Sequence, residues 1–196
     1  MLMDRKVIII EEYSATWAST FLQLKSIYEK HLGDLIIDIH HVGSTAVNNL
    51  AAKPVIDIDI VIGDKENLNA VISKLELLGY SHRGNLGITD RYAFKQKTEK
   101  TPFDGLMRSW QKHHLYVCPQ SSISLMNHIT LRDVLRNNEV KAKEYGELKK
   151  KLALESPYDM DLYIERKTPF ITEILKSAGF SDAAINTITK ENKMNK

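Results

Sequence analysis

A single cysteine, Cys118, in 196 residues excludes an intramolecular disulfide and any CxxC metal knot. Nine glycines and five prolines are too few and too scattered for a low-complexity linker, and no internal repeat is visible. No apolar run approaches the roughly 20 residues of a membrane span. The opening MLMDRKVIII carries neither a sufficient apolar segment nor a small-residue cleavage site, so no secretory leader is read. Nor is there an excess of one charge: 27 basic residues face 25 acidic ones, a formal net charge of +2. That balance argues against a dedicated nucleic-acid binder while leaving room for a local basic pocket. These absences lead us to expect a cytoplasmic protein without membrane attachment. They fix no oligomeric state.

What is present is ordinary globular material, 43% hydrophobic and 27% charged, enough for one domain with a sizeable core. Strands are predicted at residues 7–10, 35–41, 55–62, 80–83, 91–97 and 113–118. A helix is predicted over 15–31, with Trp17, Phe21, Leu24 and Tyr28 at core spacing, and another over 65–78. KTEKTPFDGLMRSWQK, before the last strand, reads as a mobile loop. Beyond it come two helices within 121–153, divided near Asn137-Asn138, then helices at 159–178 and 181–192. Strands thus dominate residues 1–118, the sheet-containing core, and helices residues 119–196. The segregation indicates an α+β fold, a mixed sheet flanked by helices with a helical C-terminal part.

The chemistry concentrates in HHVGSTAVNNLAAKPVIDIDIVIGD, residues 40–64. Alternation puts Ile56, Ile58, Ile60 and Ile62 on the core face of a strand. Asp57 and Asp59 share the other face, with Cα atoms about 7 Å apart. Two like charges so placed repel. A divalent cation relieves this, and Mg²⁺ commonly takes one or two carboxylates plus substrate phosphates. Without metal, replacing both acids is expected to relieve repulsion, leaving the fold intact or even more stable. Gly43-Ser44-Thr45 offers a turn where backbone can approach a phosphate. Taken singly, Asp-x-Asp also describes the wet face of a sheet, and Gly-Ser-Thr an ordinary turn. Their spacing, with valines rather than polar residues flanking the acids, favours a site.

This combination resembles the signature of the nucleotidyltransferase superfamily with the DNA polymerase β-like fold. The fuller strings HVGSTAV, AAKP and IDIDIVI resemble its GrpB (UPF0157) branch. RYAFK, HHLYV, LRDVLRNN, EYGELKKKLA and YIERKTPFITEIL extend the resemblance, in order, across nearly the whole chain. The family usually has Pro-Gly at Asn48-Asn49, and asparagine also tolerates turn conformations. It often has a histidine at Tyr116.

The resemblance implies a metal-dependent nucleotidyltransferase acting on a nucleoside triphosphate and an unknown small-molecule or protein acceptor. Asp57 and Asp59 would hold Mg²⁺ or Mn²⁺; Ser44, with the backbone of Gly43 and Thr45, would hold the β- and γ-phosphates. Many members of the superfamily need a third carboxylate, and none stands out here. His114 is the candidate to replace it, as ligand or general base, on a strand face shared with Tyr116 and Cys118. Further candidates for the nucleotide are Lys53, beside Pro54; Arg91 and Lys95, four apart on one strand; Arg132, in LRDVLR with Arg136 a turn later; and Lys167, on a helix face with Tyr163. Each also has a plain reading as a solvated or ion-paired side chain. Two other functions fit the same pocket: an inactive nucleotide-binding module and a metal-dependent phosphohydrolase.

Overall fold

The computed structural model describes residues 7–106 and 108–193. The first six residues, part of the segment searched for a leader, lie outside it. Five strands form one mixed sheet in the order β1-β2-β5-β4-β3. They are β1 (Asp38–Val42), β2 (Ile56–Ile62), β3 (Tyr80–His82), β4 (Tyr92–Gln96) and β5 (His113–Pro119). β2 and β5 run parallel at the centre, and the other pairs are antiparallel.

One face of the sheet is covered by α1 (Thr16–Leu32) and α2 (Leu68–Leu77). Ile56, Ile58, Ile60 and Ile62 are fully buried there with Leu115 and Val117. They pack against Phe21, Leu24 and Tyr28 of α1 and Val71 and Leu75 of α2. The period-2 pattern of β2 and the helical stripe of α1 thus meet in one core, as their spacing predicts.

The other face carries Asp57 and Asp59 and turns toward the C-terminal helices. These are α3 (Ile123–Asn137), α4 (Glu139–Glu155), α5 (Met160–Ser177) and α6 (Asp182–Lys193). α3 seats Leu125 against Val61 and Cys118 of the sheet. The break after Asn137 is real: the Asn138 side chain accepts the Lys141 N–H at 2.9 Å and caps α4. A second core joins these helices through Leu135, Tyr145, Ile171 and Leu175. No helix among the described residues is long and apolar enough to cross a membrane.

Three expectations are corrected. Residues 7–10 are not a strand. Ile8 is buried against Leu152, Ala153 and Tyr163, and its N–H donates to the Pro157 carbonyl; pairing in this region is limited to an isolated bridge between Glu11 and Ala52. The strand expected at 35–41 begins only at Asp38, because Gly33–Leu35 is a 3₁₀ turn. The loop read as mobile is anchored. Thr101, Pro102 and Trp110 are buried, the Trp110 indole donates to the Pro102 carbonyl at 3.0 Å, and the Gln96 amide donates to the Thr101 carbonyl at 2.9 Å.

Candidate active site

β1 ends in a tight turn at Gly43, followed by a 3₁₀ turn over Ser44–Ala46. Antiparallel register sets Val42 opposite Asp57 and His40 opposite Asp59, and parallel register sets His114 and Tyr116 on their other side. Each acid therefore has β1 on one flank and β5 on the other. Gly43 has φ 69°, and a Cβ there would collide with the Asp57 carboxylate. The sequence suggests that this glycine admits a ligand; in the structure what it admits is Asp57.

The two carboxylates are compensated by histidines. Asp57 Oδ1 accepts from His114 Nδ1 at 2.8 Å, and Asp59 Oδ2 from His128 Nδ1, on α3, at 2.7 Å. Burial works to raise Asp57, but the His114 hydrogen bond and the fields of His114, Lys53 and His128 outweigh it. Its carboxyl is held below the usual carboxylate range. Asp57 is about a third exposed at the cavity surface, whereas Asp59 is completely buried. The picture of two uncompensated, repelling acids is therefore corrected: each has its own partner.

A cavity of about 290 Å³ opens over this face, lined by Gly43, Ser44 and Thr45 on one side and by α3, α4 and α5 on the other. Its wall is cationic: Lys53, Arg91, Arg132, Lys149 and Lys167 line it, with His114 and His128. Four buried side-chain polar atoms among the described residues lack a hydrogen-bond partner, and three belong to this region: Asp59 Oδ1, Arg91 Nε and Asn127 Oδ1. Such atoms are rare in folded proteins.

The structure sorts the candidate residues. Asp57, His114, Gly43, Ser44, Thr45, Lys53, Arg91, Arg132 and Lys167 converge on the cavity; Asp59 lies buried beside Asp57. Lys95 does not join them, since it is solvent-exposed on β4 opposite Ser81 near the sheet edge. Arg91, just before β4, stacks its guanidinium over the Tyr116 ring at 4.4 Å. Arg132 is engaged in bracing, with Asp133 at 2.7 Å and the His41 carbonyl at 3.1 Å. Arg136 donates to the Ala46 carbonyl at 2.8 Å, so α3 grips the Gly-Ser-Thr turn from both ends. Thr45 is buried, its hydroxyl joined to His41 Nε2 at 3.0 Å. Asn49 adopts φ 59°, which preserves the turn where the family usually has Pro-Gly.

Sequence reading missed two residues. His128 sits in polar surroundings, yet it falls between Leu125 and Arg132 on the stripe of α3 that faces the sheet. Lys149 is hidden in the run Lys149-Lys150-Lys151, yet it follows Ala142 and Tyr145 and precedes Leu152 at helical spacing. It is 2% exposed, while Lys150 and Lys151 pair with glutamates outside.

Among the described residues no group of three or more His, Cys, Asp and Glu side chains is arranged to hold a metal. The donor set is two carboxylates, one with a free buried oxygen. That set suits a hard cation that completes its shell with substrate phosphates and water.

The model of the GrpB protein family matches residues 7–177. The chain belongs to the GrpB family. It is 33% identical over 176 residues to the glutamate-rich protein GrpB of Alkalihalophilus pseudofirmus, covering 88% of this chain and 97% of that one. To the UPF0157 protein YqkA of Bacillus subtilis it is 35% identical over 167 residues, 85% of this chain but only 46% of that relative, so it spans about half of it. The crystal structure of GrpB from Enterococcus faecalis superposes with a TM-score of 0.73 at 28% identity, covering 91% of this chain and 98% of the other. The family architecture is therefore the α+β arrangement described above.

Proposed function

We propose that this GrpB-family chain is a metal-dependent nucleotidyltransferase that moves a nucleotidyl group from a nucleoside triphosphate to an acceptor hydroxyl. One observation carries the reading: Asp57 stands against Gly43 in a cavity lined by Ser44 and walled by basic side chains, with Asp59 buried beside it on the same strand face. Asp57 and Asp59 would hold Mg²⁺ or Mn²⁺, which when bound offsets phosphate charge and polarises the phosphoryl oxygens. Ser44 and the neighbouring backbone contact phosphate from the β1 side; Lys53, Lys167 and Arg91 supply positive charge. His114 is turned by Asp57. Its Nδ1–H is spent on the carboxylate, so in the neutral ring Nε2 carries the lone pair. That geometry suits a general base for the acceptor hydroxyl, since a base held by a third group is pre-oriented.

A second reading is a nucleotide-binding module without catalysis. It is favoured by the lack of a third carboxylate among the described site residues. Thermal shift with each nucleoside triphosphate, with and without Mg²⁺ or Mn²⁺, followed by product analysis, separates the readings. Metal-dependent stabilisation with pyrophosphate release supports transfer. Stabilisation without turnover supports the binding module, and release of inorganic phosphate indicates a phosphohydrolase.

A further inference from the structure

Lys149 is an anomaly for a lysine. A buried ammonium is costly unless paired, yet among the described residues Lys149 has no ion pair. Its ammonium donates to the Ala51 carbonyl, and it lies 4.7 Å from the centre of the Tyr145 ring. Lys167 repeats the device one helix later. It sits 5.4 Å from the Tyr163 ring centre and also has no ion pair among the described residues. In both cases the aromatic ring is four residues before the lysine. Helical side chains lean toward the N-terminus, so the lysine is laid back over the ring and its head is aimed along the helix face.

Lys53 completes the group from a third segment. It precedes β2, reaches the Met160 sulfur at 3.6 Å and has no carboxylate partner among the described residues. All three line the one cavity. The acid whose field acts on all three is Asp57. Burial pushes each lysine down; repulsion from Lys167 adds to this at Lys149, and repulsion from Lys53 at Lys167. Three ammonium groups thus face one carboxylate. Folding that holds like charges together without counter-charge is explained if the counter-charge is the ligand. A single phosphate neutralises too little and spans too little to meet groups from a loop and two helices. A linear polyphosphate meets both needs.

We propose that Lys53, Lys149 and Lys167 form a cradle for the polyphosphate tail of the nucleotide, so that the site selects by phosphate-chain length and discriminates triphosphate from mono- and diphosphate. This rests on the nucleotide reading above and adds to it the residue Lys149 and a basis for selectivity. The cradle belongs to the protein and acts without the cation. It sets the tail toward α4 and α5 and leaves Arg91, Tyr116 and Asn127, which also line the cavity, for the rest of the substrate.

The test is calorimetric titration of the whole chain with inorganic phosphate, pyrophosphate and tripolyphosphate in the presence of a chelator. Tripolyphosphate is expected to bind tightest. Lys149→Gln and Lys167→Gln should each weaken it roughly tenfold or more, since each removes a charge-assisted contact, while changing phosphate binding little. Lys167, less buried than Lys149, provides the variant that folds if Lys149→Gln does not. Equal affinity for the three anions, or tripolyphosphate affinity unchanged in a folded Lys167→Gln protein, overturns the cradle. Nucleoside triphosphate binding with metal, measured in parallel, keeps the two ideas apart. If it persists while tripolyphosphate ignores the lysines, the cradle alone fails. If tripolyphosphate depends on the lysines but no nucleotide binds, the cradle stands and the nucleotidyltransferase reading falls.

Discussion

Asp59 and His128 are 69 residues apart in the chain and joined by a 2.7 Å hydrogen bond at a point where the carboxylate has no exposed surface. The bond ties α3 to the sheet and lets a carboxylate stay buried. His128→Ala leaves both Asp59 oxygens without a partner. It is expected to cost about 1–3 kcal/mol in chemical denaturation. A change under about 0.5 kcal/mol, the range of an ordinary surface substitution, would show that the contact is incidental.

Gly43 offers a matched comparison. Gly43 and Gly84 have nearly the same φ, 69° and 68°, but only Gly43 would drive a Cβ into Asp57; at Gly84 nothing lies within contact distance. Both alanine variants carry positive-φ strain on the order of 1–3 kcal/mol. Gly43→Ala should lose more stability than Gly84→Ala and should also impair metal-dependent nucleotide binding, because Asp57 must move. Equal losses in the two variants would refute the close-packing explanation.

The sheet, the core face of β2 and the inward stripe of α1 were legible because their periodicities are local and strong. Asp57 with Gly43-Ser44 was legible through spacing. What escaped depended on long-range partners. Ile8 and Ile10 have the composition of a strand, but whether they gain a ladder depends on what passes beside them, and here it is largely Pro157 and Ala52. Lys149 looks like one more solvated lysine until the apolar stripe through Tyr145 and Leu152 is followed. His128 finds its acid only when α3 docks. Lys95 is four residues from Arg91, but Arg91 precedes β4 and lines the cavity while Lys95 lies within the strand in solvent.

As the proposed general base, His114 should act on turnover rather than on binding. His114→Ala is expected to lower nucleotidyl transfer by roughly 10²–10⁴-fold in a pyrophosphate-release assay, while nucleotide affinity changes little. A large fall in Mn²⁺ affinity instead would make it a metal ligand. Unchanged turnover and unchanged metal affinity would leave it a structural partner of Asp57.

The pH dependence follows from Lys167, brought down from 10.5 to about 8 by burial and by Lys53, against the pull of Asp57. Between about 8 and 10.5 the unfolded chain holds a proton that the folded chain has released. The unfolding free energy attributable to this residue therefore rises with pH across that window. Anion binding moves the opposite way: as pH climbs through about 8 the cradle loses charge and tripolyphosphate affinity falls. Lys167→Met should flatten both trends. Affinity that stays level from pH 7 to 9 in the native protein would contradict the assignment.

Asp57 contributes in the acid direction. Its folded value is depressed, so its stabilisation is present above the ordinary carboxylate range and is lost as pH falls through the lowered value. Asp57→Asn should accordingly reduce stability at neutral pH, opposite to the gain that mutual repulsion of two bare acids implies. A higher melting temperature for the variant at pH 7 would show that repulsion dominates after all.

The central claim is that Asp57 and Asp59 together make nucleoside triphosphate binding depend on a divalent cation. Its most direct test is calorimetric titration of a nucleoside triphosphate into the native chain and into Asp57→Asn/Asp59→Asn, each with and without Mn²⁺. The native chain should bind more tightly with the metal. The folded double variant should keep only the metal-independent affinity that the lysines provide. A double variant that still gains the full affinity increment from Mn²⁺ would contradict the account.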